Sequence, residues 1–87
     1  MARYEISTFN ENELGGRSNF TKEVVDLKYA DKKHFEALSM LKFAEGALCE
    51  MKSHFRFTKG IPHRVVTKFI IRDLVNSRVS TYKLLES

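Results

Sequence analysis

The apolar period of this chain changes at Asp31, and that change restricts its fold more than any other feature. Before Asp31 the apolar residues alternate, as they do in half-buried strands: Tyr4 and Ile6, then Val25 and Leu27. After it, Ala37, Met40, Leu41, Ala44, Ala47, Leu48, Met51 and Phe55 fall within roughly 120° of arc at 3.6 residues per turn. Asp31 is a favourable helix N-cap at the boundary. A helix over about 32–55 is therefore expected, preceded by strands over about 3–9 and 20–29.

Gly15-Gly16 supplies the two positive-φ positions of a type I′ hairpin turn. A hairpin centred there sets Ile6 opposite Val25 and Tyr4 opposite Leu27, all on one face. Gly60 suits a turn, and Pro62 suits the first turn of a following helix. Residues 62–76 admit two readings. A helix turns Val66, Phe69, Ile70 and Leu74 inward, whereas a strand alternates Val65, Thr67, Phe69 and Ile71 against Arg64, Lys68 and Arg72. Either way Arg64, Lys68 and Arg72 are expected to emerge together. A last strand over about 78–84 completes the prediction. The expected fold is α+β: an N-terminal β-hairpin, a long amphipathic helix, a second shorter helix or strand, and a C-terminal strand, forming a small antiparallel sheet packed on helix within one domain spanning 1–87.

The helix carries a second stripe of Phe35, Leu38, Lys42 and Cys49, with Gly46 nearby. It meets either the chain's own hairpin or C-terminal segment, or a second copy in a homodimer, where Gly46 would allow close approach. In a helix interior Gly46 costs about 1 kcal/mol relative to alanine, so it calls for a reason.

Composition removes several classes of function. Cys49 is the only cysteine, which excludes an intramolecular disulfide and a cysteine-rich zinc site. His34, His54 and His63 lack metal-ligand spacing, so no metal and no cofactor are expected. Glu45 and Glu50 near Cys49 would raise its thiol pKa, and no serine lies in a glycine-flanked nucleophile turn. The chain is read as non-enzymatic. Gly15-Gly16-Arg17 lacks the spacing of a phosphate loop and is read as an ordinary turn. No apolar run reaches the roughly 18 residues of a membrane helix, and a cytoplasmic location is expected.

Charge supplies the functional lead. Residues 1–51 hold seven Lys/Arg against nine Asp/Glu, while residues 52–87 hold eight against two. Lys52, Arg56, Lys59, His63, Arg64, Lys68 and Arg72 come in close succession around Phe55 and Phe57. Cations meet phosphates, and an exposed ring rewards an unstacked base. Phe55 completes the helix stripe and is expected in the core, leaving Phe57 as the exposed ring. The predicted function is nucleic-acid binding through this basic surface. The alternative is docking on an acidic face of an intracellular protein partner, with an apolar patch around Phe35, Leu38 and Phe57 beside the charges.

Overall fold

The computed structural model describes residues 2–28 and 30–86. Its elements run β1 (Ala2–Glu11), β2 (Arg17–Leu27), α1 (Lys32–Ala44), β3 (Ala47–Thr58), β4 (Ile61–Asp73) and β5 (Arg78–Glu86). The five strands form one antiparallel sheet in the order β2-β1-β5-β4-β3, with α1 packed on one face against β3 and β4. This is an α+β fold in which an N-terminal hairpin and a helix join a small antiparallel sheet. The strand end expected at Tyr29 lies outside the described residues.

The hairpin forms, with its register moved by two residues. Tyr4 lies opposite Val25 and Ala2 opposite Leu27, while Ile6 faces Glu23. A shift of two keeps every side chain on its own face, so the apolar pattern alone does not forbid it. Asn12 fixes the actual register. Its Oδ1 accepts from the N–H groups of Leu14 and Gly16, and its carbonyl accepts from Gly15 N–H. That closes a wide loop between Glu11 and Arg17 instead of a two-residue Gly15-Gly16 turn. Two consecutive positive-φ residues of the type I′ kind occur at Lys59 (53°) and Gly60 (79°), between Thr58 and its partner Ile61.

Asp31 caps α1 as expected, its Oδ1 accepting from His34 N–H at 3.2 Å. The helix then stops at Ala44, well short of Phe55. Gly46 (φ +90°) turns the chain out of it, donating to Phe43 O while its own carbonyl accepts from Leu74 N–H. The residues beyond misled the wheel for a simple reason. Ala47, Met51 and Phe55 are spaced by four, which fits one face of a helix and also one face of a strand. In β3 they alternate inward with Cys49 and Ser53.

The two helix stripes exchange roles. Phe35 is fully buried and Leu38 packs beside it, whereas Met40, Leu41 and Phe43 are exposed. Phe35 centres an aromatic cluster with Phe69 (4.9 Å), Tyr4 (5.4 Å) and Tyr82 (6.1 Å). Tyr4 Oη donates to Val66 O at 2.6 Å, satisfying the buried hydroxyl. The stripe expected to offer a self-association surface is therefore consumed by the protein's own sheet, and Lys42 pairs with Glu45 at 3.2 Å.

Segment 62–76 is mostly strand, and it contains a bulge. Lys52 faces Lys68, but Ser53 faces Val66, leaving Thr67 as the extra residue. Thr67 Oγ1 donates to Lys52 O at 3.2 Å. Beyond the bulge β4 loses β5 as a neighbour; the backbone of Ala30 and Asp31 meets it instead, at Val66 and Val65, and Tyr4 bonds the Val66 carbonyl. Pro62 is tolerated because β4 has no strand on its outer side there. The rest of the β3–β4 hairpin projects as a two-stranded arm, and the molecule has a long axis of 47 Å.

Candidate nucleic-acid interface

The sheet has one covered and one open face, since α1 is the only helix among the described residues. Pleating assigns the side chains. Residues directly opposite one another share a face, and neighbours along a strand alternate. On the open face the pairings Lys52–Lys68 and Lys68–Lys83 set three lysines side by side across β3, β4 and β5. Adjacent strands lie about 4.8 Å apart, so the three stems leave the sheet within about 10 Å. Like charges directly opposite one another are unfavourable in a sheet. None of the three makes an ion pair among the described residues, and all are exposed. Glu5 continues the row but is held by Lys22 at 3.6 Å, and Glu50 stands one step away on β3.

A second row crosses the same face further along the strands. Arg72 lies opposite Val79, and Val79 opposite Phe9. Phe9 packs on Phe20 at 5.8 Å, with the Arg17 guanidinium 4.5 Å above the Phe9 ring. Phe20 is 69% exposed, an unusual fraction for a phenylalanine with no covering element. The open face thus holds cations on β3, β4 and β5 and, toward β1 and β2, the half-buried Phe9 with the exposed Phe20.

The expected site residues are divided by the bulge at Thr67. Lys52, Lys68 and Arg72 remain on the open face, and Arg56 and His63 follow them into the arm as a cross-strand pair. Arg64 moves to the opposite face, where its guanidinium lies 4.2 Å over the Phe55 ring and its Nη1 donates to Ser53 Oγ. Arg64, Lys68 and Arg72 consequently do not emerge together. Phe57 shares the Phe55 side of the arm, and Lys59 sits at its tip. Phe57 is exposed as expected, whereas Phe55, expected in the core, is exposed too. Arg56 Nε donates to His54 Nε2 at 3.1 Å.

Lys83, Phe9, Phe20 and Arg17 belong to this face and were not predicted. They become neighbours of Lys68 and Arg72 only once β5 lies between β4 and β1, and no local pattern announces that order. From Met51 to Arg72 the hairpin holds six Lys/Arg and no Asp or Glu.

Other chemistry finds little footing. No group of three His, Cys, Asp or Glu side chains stands close enough to hold a metal among the described residues. Burial pushes the Cys49 thiol pKa up, with a Ser39 hydrogen bond and the charge of Lys42 acting the other way. The expected cause, Glu45 and Glu50, is not the operative one. Among the described residues no helix is long and apolar enough to cross a membrane. No family model, curated protein or solved structure matches this chain.

Proposed function

We propose that the protein binds single-stranded nucleic acid on the open face of its sheet, with phosphates along Lys52, Lys68 and Lys83 and bases against Phe20 and Phe9. The observation that carries this reading is the row of three unpaired lysines on adjacent strands. Such a row opposes folding unless something anionic lies across it. The exposed Phe20 ring, backed by the half-buried Phe9, favours a single strand over a duplex, because only unstacked bases offer a face to a phenylalanine. Arg56, Lys59 and His63 extend the cationic track along the arm, and Arg72 joins the two rows. The reading of Phe35, Leu38 and Phe57 as a protein-docking patch loses support, since Phe35 and Leu38 serve the core.

Fluorescence anisotropy with labelled oligothymidylate, oligouridylate and a mixed-sequence duplex, titrated across a salt series, tests the proposal. The single strands should bind more tightly than the duplex, with affinity falling as salt rises. Replacing Lys52, Lys68 and Lys83 together by alanine should reduce the log–log salt slope by about 2, at roughly 0.7 per phosphate contact. Phe20→Ala should weaken binding by about 1–3 kcal/mol and leave the slope unchanged. Absence of binding at low salt, or an unaltered slope in the triple variant, would overturn the reading.

A further inference from the structure

β3 is an edge strand, and among the described residues no strand pairs with its outer side along Ala47–Thr58. It is long and carries no proline, and Leu48 (49%) and Phe55 (58%) on it are exposed. A long edge without proline or a bulge is a template for strand pairing. Charges stand on both edges, Glu50, Lys52 and Arg56 on β3 and Arg17, Lys22, Glu23 and Asp26 on β2, but β2 is also broken by a bulge at Asn19, whose φ is +55°. Beside β3 lies an apolar groove of about 370 Å³ lined by Ser39, Met40, Phe43, Ala47, Leu48 and Cys49.

We infer that β3 pairs antiparallel with β3 of a second copy about a two-fold axis at Met51, joining the two sheets. The inference shares Lys52 with the nucleic-acid proposal: in the dimer Lys52 meets a glutamate, leaving Lys68 and Lys83 as the unpaired part of the row. A two-fold interface must be self-complementary, which makes the charges on β3 decisive. An axis at Glu50 sets glutamate against glutamate, and an axis at Lys52 sets lysine against lysine. An axis at Ser53 gives Glu50 an arginine, Arg56, but sets Lys52 against His54. With the axis at Met51, Glu50 meets Lys52 of the second copy and Lys52 meets Glu50, so both charges are answered at once. The same register opposes Leu48 to His54, Cys49 to Ser53, and Ala47 to Phe55. Phe55, expected inside the protein and found exposed, is thereby delivered to the groove floor at Ala47. Matching faces stay aligned, because each residue meets a partner an even number of positions away.

The Cys49–Ser53 juxtaposition gives a direct test with the full chain. Residues directly opposite across antiparallel strands lie about 4.5–5.5 Å apart at Cα, within disulfide range. Within one chain, positions 49 and 53 are too far apart along the strand to join. Ser53→Cys should therefore yield a disulfide-linked dimer on mild oxidation. The wild type and the Ser53→Cys/Cys49→Ser double variant should yield none. Sedimentation equilibrium of the unmodified protein at roughly 100 µM should give twice the 10.1 kDa chain mass. Glu50→Lys should weaken the dimer about tenfold or more, and Glu50→Lys/Lys52→Glu should restore it. A monomer at that concentration overturns the inference, as does a crosslink that persists without Cys49, which would move the axis to Ser53. Failure of the charge swap to rescue would also overturn it.

Discussion

Tyr4 ties the two halves of the sheet together. Its ring packs on Phe35, and its hydroxyl donates to the carbonyl of Val66, beside the bulge in β4. Burial pushes its pKa up to about 12, with the charge of Arg56 pulling the other way. In the unfolded chain the phenol titrates near its ordinary value of about 10. The raised folded value means that its contribution is complete below about pH 10 and is lost as pH rises through about 12. Tyr4→Phe should cost about 1–2 kcal/mol at neutral pH, since Val66 O loses its donor. The variant should also show a shallower fall of stability above pH 10 than the wild type. Urea melts at a series of alkaline pH values measure both effects, and parallel slopes would contradict the assignment.

At the scale of elements, the junction between α1 and β3 decides the architecture. Gly46 adopts a φ that side chains resist, and a Cβ there would stand 2.8 Å from Val75 Cγ2. Gly46→Ala should therefore destabilise the fold by about 1–2 kcal/mol for the backbone alone, more if Val75 cannot move. A lowered urea midpoint with an unchanged slope would register this. The start of the helix was legible in the sequence because Asp31 acts within one turn. Its end was not, because apolar residues four apart continue both periods across Gly46. The glycine itself is the signal: costly inside a helix, it lies just outside one. The bulge at Thr67 left no comparable trace, since nothing in Val65-Val66-Thr67-Lys68 marks an unpaired residue.

For the whole molecule, pairing is uneven. β1, β5 and residues 68–73 of β4 have a strand on each side, while most of the arm beyond Ser53 is paired only with itself. Amide hydrogen exchange should therefore be at least about a hundredfold faster in the arm, at 56–62, than in β1 and β5. Equal protection would mean that the arm is held by something else. The same unevenness explains what could be read of the proposed interface. Lys52, Lys68 and Arg72 are close in sequence, and the ladder keeps them on one face. Lys83 and the Phe9–Phe20 pair join them only through strand order, a property of the closed sheet and of no single segment.

Thr67 has one more consequence. A strand is read in twos, so a single residue too many transposes everything beyond it. Because the bulge already sets Thr67 outside the ladder, removing its codon would leave Arg64 opposite Phe55 and His63 opposite Arg56; the presence of Thr67 is what puts Arg64 out of phase with Lys68 and Arg72 along the sequence. In a lineage of such proteins, loss of this one residue would straighten the arm and leave the chemistry of both its faces as it is.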